Sequence, residues 1–129
     1  MINIQNLVPG NLVSAGANKE IIVSEIEKDY VCDSGGTKYL YEELDTVLLS
    51  EAWLRLNGFS HRVLTSERVN YNDWILQTEG DDFYTITIER YVGQLWILKI
   101  DDNRFVNVLT AKISYVHQLQ NLINNIIYV

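Results

Sequence analysis

The sequence predicts an α+β fold of antiparallel sheets. An N-terminal small curled sheet precedes a C-terminal meander, with a short middle helix and a C-terminal amphipathic helix packed on the sheet. Three observations predict it. Four short strands fit between Leu12 and Leu44. Alternating apolar and polar residues punctuated by turn residues return after residue 60. The last segment repeats its apolar residues at helical spacing.

Leu7-Val8-Pro9-Gly10-Asn11 opens with a turn, and Leu12–Ala15 suits a short strand. After Gly16-Ala17-Asn18, the run Glu20–Glu27 is β-branched, with Ile22 and Ile26 on one face and Ile21 and Val23 on the other. Asp29–Asp33 is a third strand. Ser34-Gly35-Gly36 is a hairpin turn, because glycine supplies positive φ. Lys38–Leu44 is a fourth strand, with Leu40 and Leu44 on one face and Tyr39 and Tyr41 on the other. Ser50 is an N-cap for a two-turn helix at Glu51–Asn57, closed by Gly58. Arg62–Thr65, Asp73–Glu79, Phe83–Glu89, Gln94–Ile100 and Arg104–Leu109 form the meander, and Ser66–Asn72 is a long exposed loop. Thr110 is an N-cap for a closing helix at Ala111–Ile126, whose stripe is Ile113, Val116, Leu119, Leu122, Ile123 and Ile126.

At 129 residues the chain reads as one α+β domain, with sub-regions 1–47 and 48–129. It is 47% hydrophobic and 21% charged, which excludes a disordered tail, a collagen-like repeat and a disulfide scaffold. Seventeen acidic against ten basic residues give a net charge of −7, which opposes non-specific binding to nucleic acid or to an anionic membrane. Cys32 is the one cysteine, so no intrachain disulfide forms, and a lone thiol fits a reducing cytosol. No signal peptide and no membrane-length apolar run is present, so the expectation is a cytoplasmic protein.

No catalytic motif is found: GxSxG, P-loop, HExxH and CxxC are all missing. The expectation is a protein without enzymatic activity or cofactor. Cys32 lies in a strand and reads as a core residue rather than the nucleophile of a Cys–His pair. His117 sits one position beside the helical stripe. One reading is a half-buried histidine hydrogen-bonded to an oxygen. The other is that His117, Gln118, Gln120 and Asn121 present hydrogen-bonding groups to a ligand or partner. Two histidines are too few for a zinc site without cysteines beside them.

Glu42 and Glu43 point to opposite faces of a strand and serve no common site. In a meander, alternate turns fall at one end of the sheet. The Glu79–Asp82 and Asp101–Asn103 turns then form an acidic rim, whose carboxylates suit either a hard cation or ordinary turn chemistry. Arg62, Arg90, Trp96 and Arg104 are the candidates for a small anionic ligand such as a nucleotide. The alternative is a core Trp96 with arginines on strand edges.

Three segments carry a resemblance. They are Pro9-Gly10-Asn11-Leu12-Val13, Leu48-Leu49-Ser50-Glu51-Ala52-Trp53-Leu54-Arg55-Leu56-Asn57-Gly58-Phe59 and Tyr115-Val116-His117-Gln118-Leu119-Gln120-Asn121-Leu122. The chain resembles small uncharacterised proteins of Bacteroidetes genomes and their phages. In that group a GNWV-like start, an LTEEWLLKFGF-like middle and a YVHQLQNLYF-like end recur. The matching residues cover about a fifth of the chain. Relatives continue with a threonine-glycine turn and acidic residues where this chain has Ile123-Asn124-Asn125-Ile126-Ile127-Tyr128-Val129. The resemblance implies a shared fold and a mobile-element setting, and no catalytic residue.

The expectation is therefore a non-enzymatic binding protein of phage or mobile-element origin. Its sharper form is an anti-defence protein that sequesters a signalling nucleotide or blocks a host effector. Its partner is then a host protein or a small anionic ligand, with a homo-oligomer as a further expectation. The alternative is a minor structural or assembly protein of a virion, whose apolar tail Ile126-Ile127-Tyr128-Val129 pairs with another chain.

Overall fold

The computed structural model describes residues 6–16, 19–65 and 70–127. In chain order the elements are β1 (Leu12–Ala15), β2 (Glu20–Ile26), β3 (Tyr30–Asp33), β4 (Lys38–Leu40), β5 (Leu44–Asp45), α1 (Glu51–Leu56), β6 (Ser60–Thr65), β7 (Asn70–Gln77), β8 (Thr85–Val92), β9 (Leu95–Asp101), β10 (Asn107–Ile113) and α2 (Val116–Ile127). They form two antiparallel sheets of five strands and two helices, an α+β fold. Residues 1–48 and 115–129 make one compact unit, and residues 49–114 make the other. The C-terminal helix thus groups with the N-terminal sheet. Among the described residues no helix is long and apolar enough to cross a membrane.

The first unit carries the sheet order β4-β3-β2-β1-β5. Its core is Leu7, Val13, Ile21, Val23, Val31, Tyr39 and Leu44. Cys32 is buried on β3 as a free thiol. Ile22 and Ile26 do not share a face. Ile22 is exposed, whereas Ile26 packs on the core beside Ile21 and Val23. The cause is a bulge: Val23 pairs with Asp33 but Glu25 pairs with Cys32. One extra residue reverses the alternation beyond it. Nor does Lys38–Leu44 form one strand. A 3-10 turn at Tyr41–Glu43 interrupts it, and the chain resumes as β5 against β1. That turn separates Leu40, which is exposed, from Leu44, which is buried.

The second unit is a meander in the order β10-β9-β8-β7-β6. α1 begins where Ser50 Oγ accepts from the Trp53 N–H at 3.1 Å, and it ends before Gly58 at φ +91°. One sheet face is apolar and buried: Trp74, Ile86, Ile88, Trp96, Leu98, Ile100 and Ile113. α1 lies on that side, with the Arg55 guanidinium 5.4 Å from the Trp74 ring centre. The loop expected at Ser66–Asn72 is strand from Asn70 onward, and residues 66–69 lie outside the described residues.

The boundaries of the last strand and of the closing helix also differ from expectation. The closing helix begins at Val116 rather than Ala111, and Thr110 is not its cap. Thr110, Ala111, Lys112 and Ile113 pair instead with Lys99, Leu98, Ile97 and Trp96 of β9. Ile113 fits the helical stripe and also a strand alternation, and ladder pairing with an apolar central strand decides between them. At its other end, β10 begins at Asn107 rather than Arg104, because residues 103–105 are spent on the hairpin loop.

Candidate functional site

Three polar side chains of α2, Gln118, Gln120 and Asn121, are engaged in hydrogen bonds within the first unit. Gln118 Oε1 accepts from the Tyr115 N–H at 3.0 Å, the reach-back half of a capping box. Gln120 Oε1 accepts from the Leu12 N–H at 2.9 Å, and its Nε2 donates to the Gly10 carbonyl at 3.3 Å. Asn121 Nδ2 donates to the Asn6 carbonyl. Asn121 Oδ1 accepts from Asn11 Nδ2 at 2.8 Å. Gln120 and Asn121 thus fasten the helix to the Asn6–Leu12 segment. Two of the three segments that carry the resemblance meet here.

His117 is more buried than expected, at 4% exposure. Its ring stacks on Tyr115, with centroids 5.9 Å apart. Nδ1 has no hydrogen-bond partner among the described residues. Burial pushes its pKa below the ordinary 6.5, since charging the ring there loses hydration without a compensating acceptor. The half-buried, hydrogen-bonded histidine expected from the helical spacing is therefore corrected to a buried ring whose Nδ1 is unbonded.

The four residues proposed for an anionic ligand do not converge within one chain. Arg62 makes a two-pronged ion pair with Asp73, Nε to Oδ1 at 2.9 Å and Nη2 to Oδ2 at 2.7 Å. It shares a sheet face with Asp73, opposite the face of Trp74 and Trp96. Arg90 lies on the Trp96 face, its guanidinium 4.5 Å from that ring's centre, with Nη1 donating to the Gly93 carbonyl. Trp96 is buried. Arg104 is at the β9–β10 turn, the opposite end of the sheet from the β8–β9 turn beside Arg90.

The two acidic turns are neighbours, as the meander requires. Asn103 Nδ2 donates to the Asp81 carbonyl at 2.8 Å. The Asp102 carboxylate nevertheless acts as a turn residue. Asp102 Oδ1 accepts from the Arg104 and Val106 N–H groups at 2.9 and 3.0 Å. Among the described residues no group of three acidic, histidine or cysteine side chains is arranged to hold a metal ion.

That turn presents a feature the sequence reading passed over. Phe105 N donates to the Asp102 carbonyl, and Asp102 N donates to the Val106 carbonyl, both at 3.0 Å. This is a three-residue hairpin loop whose last position adopts the left-handed conformation. Glycine is the usual occupant of such a position. Here it is Phe105, at φ +61°. The six other described residues with positive φ are glycines, so Phe105 is the exception. Its side chain is 81% exposed, and Val106 and Val108 beside it are also in water. The signal in the sequence was Asp102 followed by three residues and a β-branched run, but a run containing Phe and Val reads as strand.

No protein-family model, curated protein or solved structure matches this chain.

Proposed function

We propose that this is a non-enzymatic binding protein of phage or mobile-element origin that works by covering a surface of a host protein. Phe105 carries the reading. A large aromatic side chain is held in water by a strained backbone, and strain of this kind persists where function uses it. Aromatic anchors that become buried in a partner's pocket dominate protein–protein binding energy. Capture of a small anion has less support. Arg62 and Arg90 face opposite sides of one sheet, and Gln120 and Asn121 are engaged with backbone. The mobile-element setting rests on the resemblance of the Tyr115–Leu122 segment and its two companions. A cytoplasmic location rests on the lone thiol, which fits a reducing compartment.

A native mass spectrum of protein purified gently from cells tests the reading. A monomer that carries a stoichiometric protein partner supports it. A nucleotide-sized adduct supports sequestration instead. One observation favours the assembly reading: Tyr91 and Val92 are exposed at the other end of the same sheet, so two apolar ends are available for head-to-tail contacts. A defined homo-oligomer without any adduct supports that alternative.

A further inference from the structure

We infer that the β9–β10 tip is a preorganised plug, built to enter an apolar pocket with a basic rim on a partner protein. The inference rests on the binding-protein reading and specifies its surface. Three observations lead to it.

The tip is rigid for its size. Asp102 alone makes four hydrogen bonds across the loop: backbone bonds to Phe105 and Val106, and side-chain bonds to the Arg104 and Val106 N–H groups. Asn103 ties the loop to the neighbouring β7–β8 turn. A loop already ordered before binding loses little conformational freedom on docking.

The apolar group is placed for contact rather than for folding. Phe105 points into water, and Val106 and Val108 continue the apolar surface along the start of β10. Nothing in the sheet requires an aromatic ring at a left-handed position, where glycine costs less.

The surroundings select the partner. Glu79, Asp81 and Asp82 lie on the neighbouring turn, Asp101 and Asp102 lie at the base of the tip, and Arg104 lies within it. An apolar knob flanked by acidic turn residues complements an apolar pocket edged by lysine and arginine. The same charge disfavours a second copy of this chain, at −7, and an anionic bilayer.

The test uses a random-peptide display library panned on the immobilised wild-type protein. Enriched peptides are synthesised and titrated calorimetrically against wild type, F105S and the D81N/D82N pair. The Phe105 side chain is exposed, so F105S is expected to fold, and circular dichroism checks it. The expected result is peptides with an apolar centre flanked by Lys or Arg. Their affinity falls about tenfold or more in F105S. It weakens in D81N/D82N and at high salt. Amide shifts on binding concentrate in Asp102–Val108.

Peptides that bind F105S as well as wild type overturn the plug, as do shifts that map to the first unit, and the native mass spectrum still decides whether the protein holds a partner. Retention on neutral phosphatidylcholine vesicles that depends on Phe105 overturns it in favour of a lipid surface. A library that yields nothing above the F105S background also overturns it, and the native mass spectrum then decides the binding reading independently.

Discussion

Asn11 and Asn121, 110 positions apart, are joined by a 2.8 Å hydrogen bond from Asn11 Nδ2 to Asn121 Oδ1. Asn11 is fully buried, and its own Oδ1 accepts from the Val8 N–H at 3.0 Å. The bond ties the entry to β1 to the middle of α2. Replacing Asn11 with Ala removes a buried amide that serves two part-buried hydrogen bonds, from the Val8 N–H and to Asn121 Oδ1. The expected loss of stability is about 2 kcal/mol. Asn121→Ala is expected to cost a similar amount, about 2 kcal/mol, because it leaves Nδ2 of the buried Asn11 without its acceptor. The two losses are less than additive in the double variant, by about 1 kcal/mol, measured as a double-mutant cycle in urea.

His117 makes the first unit sensitive to mild acid. Its folded pKa lies below 6.5, because its burial opposes charge. In the window between the folded and unfolded values the unfolded chain binds more protons. Stability therefore rises with pH through that window and is lost as pH falls below about 6.5. Asp33 acts in a lower window. Hydrogen bonds from Thr37 N–H first, then from Tyr39 and Gly35, hold its carboxyl below 3.8, so its contribution fades only as pH falls below that value. Unfolding midpoints between pH 7 and pH 5 should thus decline in the wild type and stay nearly flat in His117→Phe. A wild-type slope equal to that of the variant assigns the acid sensitivity elsewhere.

Much of this fold was legible because its signals are local. Ser50 and Gly58 bracket α1 by capping chemistry, and Gly36 and Gly80 mark turns that glycine alone adopts cheaply. The adjacency of the Asp81 and Asp102 turns followed from meander geometry. The errors arose where long-range pairing overrode a local pattern. Ile113 satisfies both a helical stripe and a ladder, and β9 claims it. Ile26 is turned inward by a bulge that no residue type announces. The site was less legible than the fold. Gln120 and Asn121 have the polarity of ligand groups, but their partners are backbone atoms more than a hundred positions away. Phe105 has the hydrophobicity of a strand residue, and its exposure comes from a backbone conformation that the sequence does not favour.

The Arg62–Asp73 pair is unequal. Asp73 is 5% exposed, whereas the Arg62 side chain is partly in water. Removing Arg62 leaves a carboxylate buried without this counter-charge. Breaking a fully buried pair this way costs about 3–5 kcal/mol. Solvent screening of the guanidinium lowers the expectation to about 2 kcal/mol for Arg62→Met. Asp73 also faces Glu89 across the β7–β8 ladder, and like charges at such positions repel. Glu89→Gln should therefore recover part of the loss in an Arg62→Met background and do little in the wild type. Chemical denaturation of the four proteins measures it. Equal effects of Glu89→Gln in both backgrounds would show that the two carboxylates do not interact.

Phe105 offers the sharpest separation of folding from function. A non-glycine residue in the left-handed region costs on the order of 1–3 kcal/mol. Glycine relieves that cost but loses about 0.5–1 kcal/mol through the freedom of its unfolded chain. Phe105→Gly is thus expected to raise stability by about 1 kcal/mol, while Phe105→Ala keeps its Cβ and its strain and gains little. The contrast between the two variants isolates the backbone from the exposed ring, because both delete the ring. A hairpin that becomes more stable with glycine, and that at the same time loses its peptide binding, holds its aromatic residue against the preference of the fold. Equal stability of the glycine and alanine variants would remove the strain from the account and leave an exposed aromatic residue with no cost attached to keeping it.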